Sequence, residues 1–145
     1  MIGILVSGHI NFASGMKSAV EAIVGEQDNV EFIDFVPTIS TEELEEAMIS
    51  SINRIDKGQG VLILTDVPGG TPCNRAVSIM MNRENVKVIA GTNLPMITNA
   101  CFERDGTTVS ELAETIIEIG SQTIVNPEEQ LKAADTQADT FEDAL

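Results

Sequence analysis

The 145-residue sequence contains no tryptophan, no tyrosine and only five phenylalanines. A core built from it must therefore be mostly aliphatic. Basic residues are also scarce: eight lysines and arginines face 23 aspartates and glutamates, so the formal net charge is −15. Such a charge repels phosphate backbones and anionic lipid, which argues against nucleic acids and membrane surfaces as partners.

Cysteine and histidine are equally rare. Cys73 and Cys101 are too few for a disulfide framework and form no metal-ligand pattern, so we expect two buried thiols in a reducing cytoplasm. With one histidine, His9, and no clustered thiols, we expect no metal site. No apolar stretch is long enough to span a bilayer, and a strand pattern begins at once without a charged segment, so no signal peptide is expected.

What the sequence does contain is a regular exchange between strand-like and helical patterns. Strand-like runs cover Ile2–Ser7, Val30–Val36, Gly60–Thr65 and Val86–Ala90, with a short last run at Thr123–Val125. Helical spacing predicts inward faces at Met16, Ala19, Val20, Ile23 and Val24; at Leu44, Ala47, Met48, Ile52 and Ile55; at Ala76, Val77, Met80 and Met81; and at Leu112, Ala113, Ile116 and Ile119. A shorter helix is predicted at about Pro95–Phe102.

This alternation predicts an α/β fold, with a doubly wound parallel sheet between two layers of helices. Ser40 and Glu43 form a capping-box pattern, and Thr71 followed by Pro72 predicts another helix start with Thr71 as the N-cap. We expect one domain over residues 1–126. Residues 127–145, with six acidic residues and one lysine, are expected to form an acidic helix or a frayed tail.

Two polar residues follow strands that are far apart in sequence. His9 comes after the first strand and Asp66 after the third. In a doubly wound sheet with strand order 2-1-3-4, ligands bind at the carboxyl ends of the strands where the order reverses, between strands 1 and 3. That order brings His9 and Asp66 to the same crevice, where a carboxylate can hold one ring nitrogen and leave the other free as a nucleophile.

The loop after Asp66 has the features of a phosphate site. Gly69 and Gly70 allow the backbone to approach a ligand closely, Thr71 supplies a hydroxyl, and the next helix begins there with unpaired N–H groups. Taken together, these residues predict a phosphohistidine site. The simpler alternatives are a solvated His9, an Asp66 and a Gly69–Gly70 pair that only form a turn, and a Thr71 that is only a cap.

Other chemistries lack required residues. There is no G-x-G-x-x-G after the first strand and no lysine in the Gly-Gly-Thr-Pro loop, which excludes the usual dinucleotide and P-loop sites. A receiver domain needs an acidic pair after strand 1, yet the first twenty residues contain no Asp or Glu. A histidine phosphatase needs further His and Arg residues, yet there is no second histidine and no arginine before Arg54.

The sequence resembles the enzyme IIA components of the mannose family of the bacterial sugar phosphotransferase system. The matching stretches are ILVSGH with FASGM, GEQDNVEFIDF, GVLILTDVPGGTPCN and VIAGTNLPM, spread over about residues 1–100. The most distinctive feature is the D-x-x-G-G-[ST]-P loop combined with a histidine after strand 1.

The resemblance implies a function for each of these residues. His9 would accept a phosphoryl group from the carrier protein HPr and pass it to a IIB component, with membrane IIC and IID subunits acting later in sugar uptake. Asp66 would orient His9, and the turn formed by Gly69, Gly70 and Thr71 would bind the phosphoryl oxygens. No cofactor, metal or nucleotide would be needed.

For the fold, the resemblance implies the strand order 2-1-3-4 and a homodimer. The fifth, antiparallel strand, here Thr123–Val125, would be exchanged between the two chains. Two positions depart from the usual family pattern: Ile10 replaces a common glycine, and Pro68 replaces a common aromatic residue. Neither change removes a chemical group, so both bear on partner contact rather than on activity. The alternatives are a phosphotransfer subunit of a dihydroxyacetone kinase and a non-catalytic dimeric regulator of the same fold.

Overall fold

The computed structural model describes the backbone of residues 1–144 and the side chains of residues 1–136. The strands are β1 (Gly3–His9), β2 (Val30–Phe35), β3 (Val61–Thr65) and β4 (Val86–Ile89). The helices are α1 (Phe12–Val24), α2 (Thr41–Ile55), α3 (Thr71–Asn82), α4 (Leu94–Glu103), α5 (Val109–Gln122) and α6 (Pro127–Ala144).

The four strands form one parallel sheet in the order β2-β1-β3-β4, which confirms the predicted α/β fold and strand order. Alternate strand residues point to opposite faces of a sheet, so each face of this sheet has its own apolar cluster. Helices α1, α4 and α5 cover one face, and α2 and α3 cover the other. Both clusters are almost wholly aliphatic, as the shortage of aromatic residues requires.

Strand β1 is longer than the sequence pattern predicted. The apolar run predicted a first strand that stops at Ser7, but β1 continues through Gly8 and His9, which pair with Asp34 and Phe35 of β2. His9 is therefore the last residue of a strand rather than part of the following loop. Its pairing with Phe35 of β2 holds the backbone of His9 at the carboxyl edge of the sheet.

The helix starts agree in part with the sequence patterns. Ser40 and Glu43 form the predicted capping box at the start of α2. At α3, however, Gly70 is the N-cap, Thr71 is already helical, and no side-chain cap bond forms, so the prediction that Thr71 is the cap is wrong. Pro72 still fits, because first-turn N–H groups have no intrahelical partner to lose.

Some residues assigned to buried helix faces are exposed. Ile23 is 61% exposed and Met81 is 77% exposed, whereas Ala13 and Ile79 are buried in α1 and α3. Ile23 and Met81 both lie in the last turns of their helices. Cys73 and Cys101 are free, buried thiols, as predicted.

The predicted fifth strand does not form within the chain. Residues 123–125 are a turn followed by irregular backbone, and they join no sheet among the described residues. Ile124 is 80% exposed and Val125 is 50% exposed. A strand requires backbone hydrogen bonds to a neighbouring strand, and residues 123–125 form none with the strands of the described chain. Its exchange between two chains stays a prediction. The acidic segment that follows is helical, as α6.

Candidate functional site

The carboxylate of Asp66 binds His9 at two points. Oδ2 of Asp66 accepts the backbone N–H of His9 at 2.8 Å and lies 2.8 Å from Nδ1 of its ring. The aspartate side chain is only 11% exposed, whereas that of His9 is 45% exposed. One oxygen atom therefore fixes both the backbone and the ring of a solvent-accessible histidine.

The charge of Asp66 determines which ring nitrogen of His9 carries a proton. Burial would raise the pKa of Asp66, but the hydrogen bonds from the backbone and ring of His9 outweigh it and hold the pKa below its ordinary value. Asp66 is thus an anion near neutral pH and can only accept a hydrogen bond. In the neutral form of the ring, this contact places the proton on Nδ1 of His9 and the lone pair on Nε2.

Gly70 lies directly beside the free side of the imidazole. A Cβ at this position would be 2.8 Å from Cε1 and 3.6 Å from Nε2 of His9, so only glycine allows the loop to approach so closely. Gly69, which precedes it, has φ +79°, a left-handed conformation that favours glycine. The loop is further held by the Asn74 side-chain amide, which donates to the Gly69 carbonyl at 3.0 Å.

Helix α3 begins at this loop and is open at its N-terminus. It has no side-chain cap and no acidic residue in its first turn. Pro72 lacks an N–H, so the first-turn N–H groups next to the site are those of Thr71 and Cys73. Unpaired N–H groups and the positive end of the helix dipole favour an anion such as a phosphoryl group.

Helix α1, which begins just after His9, differs in this respect. The side chain of Asp34, at the end of β2, accepts the backbone N–H of Ser14 at 2.8 Å. A carboxylate therefore already occupies the N-terminus of α1. Of the two helix N-termini that follow β1 and β3, that of α3 is the one left open to an anion.

The remaining neighbours of His9 come from β2 and the turn after β1. The ring of Phe35 packs edge-on against the imidazole, with centroids 6.0 Å apart at 70°. Ile10 donates its backbone N–H to the Phe35 carbonyl at 2.8 Å and has φ +53°, which is unusual for a β-branched residue. At Gly8, an added Cβ would collide with the Phe12 ring.

The structure places the residues of the predicted site close together. His9, Asp66 and Gly70 are brought together by the strand order, and Gly69 and Thr71 flank Gly70 in the loop and at the first position of α3. Sequence reasoning did not assign roles to Phe35 and Asp34. Both lie at the end of β2, and the only available signal was that β2 neighbours β1 in the predicted order.

A comparison with known protein families agrees with this geometry. The family model described as "PTS system fructose IIA component" matches residues 3–117. The chain belongs to this family. The IIA components are parts of the sugar phosphotransferase system, as the resemblance implied.

Individual IIA proteins are similar over most of the chain. The mannose-specific EIIAB component of Escherichia coli K12 is 36% identical over 122 residues, which are 83% of this chain and 38% of that protein. The sorbose-specific EIIA component of Lacticaseibacillus casei is 33% identical over 80% of this chain and 83% of its own length. The present chain thus spans well under half of the E. coli protein but matches most of the L. casei protein.

A solved structure supports the same assignment. The crystal structure of EIIA from Streptococcus agalactiae superposes with a TM-score of 0.83 at 30% identity, covering 89% of this chain and 99% of that one.

Within the described part of the chain, no helix is long and apolar enough to cross a membrane. The same residues contain no cluster of three or more histidine, cysteine or acidic side chains able to hold a metal ion.

Proposed function

We propose that this IIA component is a phosphohistidine carrier in which Nε2 of His9 accepts and donates the phosphoryl group. The observation that carries the proposal is the 2.8 Å contact between Nδ1 of His9 and Oδ2 of Asp66, which occupies one ring nitrogen and leaves the other beside Gly70. Membership of the IIA family supplies the class of reaction.

The proposed transfer is a displacement at phosphorus. The lone pair of Nε2 attacks the phosphorus of a donor phosphohistidine, the donor P–N bond breaks, and its electron pair returns to the donor imidazole. The Nδ1 proton of His9 stays on the ring, and the anionic Asp66 stabilises the positive charge that the phosphorylated imidazole gains. The first-turn N–H groups of α3 and the Thr71 hydroxyl bind phosphoryl oxygens, since phosphoryl transfer depends mainly on positioning and charge stabilisation.

The reverse step uses the same groups. Donor and acceptor are both imidazoles, so the transfer is close to balanced in free energy and runs in either direction. We propose HPr as donor and a IIB component as acceptor, with IIC and IID subunits transporting the sugar. The place of action is proposed to be the cytoplasm. The E. coli and L. casei relatives are named for mannose and sorbose, which supports a sugar of this general class as the final acceptor.

We also propose that the protein is a homodimer that exchanges residues 123–125. Ile117 is 53% exposed and lines, with Ile124, a shallow groove of about 160 Å³ beside the edge strand β4. Exposed aliphatic residues next to an unpaired strand edge favour pairing with another strand. A second copy of the chain would supply that strand in an isologous interface.

The alternatives receive less support. The family match and the similar proteins are sugar-system IIA components, which disfavours a dihydroxyacetone kinase subunit. A non-catalytic regulator would have no need for the Asp66 contact or for the open N-terminus of α3.

Phosphorylation of His9 is directly testable. Incubation with phosphoenolpyruvate, enzyme I and HPr should add one acid-labile phosphoryl group per chain, visible as one mass increment. The His9→Ala variant should acquire none, because the sequence has no other histidine. Stable labelling of that variant under the same conditions would refute the proposed function.

A further inference from the structure

Three elements of the fold contact the ring of His9. Asp66, after β3, holds Nδ1, and Gly70, the N-cap of α3, lies beside Cε1. The third neighbour is Phe35, the last residue of β2, whose ring packs edge-on against the imidazole with centroids 6.0 Å apart at 70°. That separation lies within the range of favourable aromatic pairs. None of the proposed transfer steps uses this third contact.

The position of Phe35 is itself fixed at both backbone and side chain. His9 and Phe35 are partners in the parallel register of β1 and β2, so they are neighbours across the sheet. Just beyond this pair, Ile10 donates its backbone N–H to the Phe35 carbonyl at 2.8 Å. The Phe35 side chain packs against the apolar cluster between the sheet and helices α2 and α3. A ring held in this way limits how far the imidazole can turn.

The contact with Asp66 does not fix the orientation of the imidazole by itself. A hydrogen bond is retained over a range of angles, so the single contact between Nδ1 and Oδ2 permits the ring to tilt. Tilting would turn the lone pair of Nε2 away from the N-terminus of α3, where phosphoryl oxygens are proposed to bind. Attack on phosphorus needs an aligned lone pair, and a misplacement of about 1 Å can cost about 10²-fold in rate. A further contact on the ring is therefore useful to the reaction.

We propose that Phe35 is a positioning residue for phosphoryl transfer, whose ring holds the imidazole of His9 in the orientation that aligns Nε2 with phosphorus. The inference rests on the proposed function. Only five aromatic residues occur in the chain, so the pairing of one of them with the single histidine is not a by-product of an aromatic core. Phe35 acts on the ring whichever protein lies over the site, so its effect is on the transfer step.

The kinetic test removes the aromatic ring and keeps an apolar side chain. Labelling of His9 is followed with phospho-HPr and, separately, with phosphoramidate, a small donor that needs no docking surface. In Phe35→Leu the maximal rate should fall about fivefold with both donors, equivalent to about 1 kcal/mol of barrier. The half-saturating concentration of phospho-HPr should stay unchanged. Phe35→Tyr keeps the aromatic contact and should keep the rate, whereas Phe35→Met lacks the ring and should repeat the loss.

A spectroscopic test reports the orientation of the ring without any transfer. In the neutral, unphosphorylated imidazole, the ¹⁵N shifts of the two ring nitrogens show how the proton is distributed between them. A ring that tilts loses part of its hydrogen bond to Asp66, so Phe35→Leu and Phe35→Met should gain the tautomer with the proton on Nε2. The shifts in Phe35→Tyr should match those of the wild type.

Phe32→Leu is the matched control, since Phe32 also lies in β2 but packs against the apolar cluster on the other face of the sheet. It should alter neither the rates nor the ring-nitrogen shifts. Unchanged rates in Phe35→Leu and Phe35→Met overturn the inference. So does a loss confined to phospho-HPr, which would indicate docking, or a loss without any change in the ring-nitrogen shifts. If the wild-type protein is labelled by neither donor, the proposed function fails, while the shifts still show whether Phe35 orients the ring.

Discussion

Asp66 contacts His9 through a single carboxylate oxygen. Oδ2 of Asp66 accepts both the backbone N–H and the ring Nδ1–H of His9, each at 2.8 Å. All of the contact with His9 thus passes through one oxygen. The pKa of this carboxyl is lowered by those hydrogen bonds against the opposing effect of burial, so its negative charge is present at neutral pH.

Asp66→Asn separates the charge of this residue from its shape. The amide oxygen can still accept both hydrogen bonds, but it lacks the charge that stabilises a phosphorylated, positively charged ring. Electrostatic stabilisation of this kind is typically worth ~2.7–4 kcal/mol in a transition state. Transfer from phospho-HPr should therefore slow by roughly two orders of magnitude or more, with little change in melting temperature. Rapid mixing and thermal melting measure the two quantities.

Asp34→Asn is the matched control for charge. It removes a carboxylate at the end of β2 that caps Ser14 of α1 rather than contacting His9, and asparagine can keep that bond. Its transfer rate should stay near that of the wild type. A near-normal rate in Asp66→Asn would mean that the loop backbone alone orients His9.

At the scale of elements, the sequence predicts the helices and strands that follow from a local pattern, and the order of neighbouring strands. Buried strands read as apolar runs, and the polar residues at their ends fall at one edge, which is why the sequence could place His9, Asp66 and the glycine loop next to one another. The start of α3 could not be placed correctly, because Thr71 and Gly70 are both acceptable caps. The earlier start of α3 goes together with the close approach of its N-cap, Gly70, to His9. This is a tertiary contact, which a local sequence pattern does not show.

The segment 123–125 shows a second reason for failure. Its apolar residues fit a strand, but a strand forms only where it is hydrogen-bonded to another strand, and residues 123–125 pair with none in the described chain. We expect that partner in a second chain. Light scattering of the intact protein should give twice the mass of one chain, and deletion from Gln122 onward should give a monomer.

Deletion from Pro127 onward is the control for that experiment. It removes α6 but keeps Thr123, Ile124 and Val125, so the dimer should persist. A monomeric intact protein would contradict the exchanged strand. So would a dimer that survives the longer deletion.

At the scale of the whole molecule, an acidic chain carries exposed aliphatic residues next to His9. The net charge is −15, yet Ile10 and Val67, which directly follow His9 and Asp66, are 51% and 56% exposed, and the Asp66 side chain is only 11% exposed. An excess of negative charge favours encounter with a partner of opposite charge.

The single histidine makes the central claim open to one decisive measurement. Protein labelled with ¹⁵N in its histidine ring has only two ring nitrogens to observe, and phosphorylation by HPr reports which of them bears phosphorus through ¹⁵N–³¹P coupling. Because Asp66 holds Nδ1, we predict coupling at Nε2 and a retained proton on Nδ1. Coupling at Nδ1, or phosphorylation that leaves both ring nitrogens unmodified, would contradict the account.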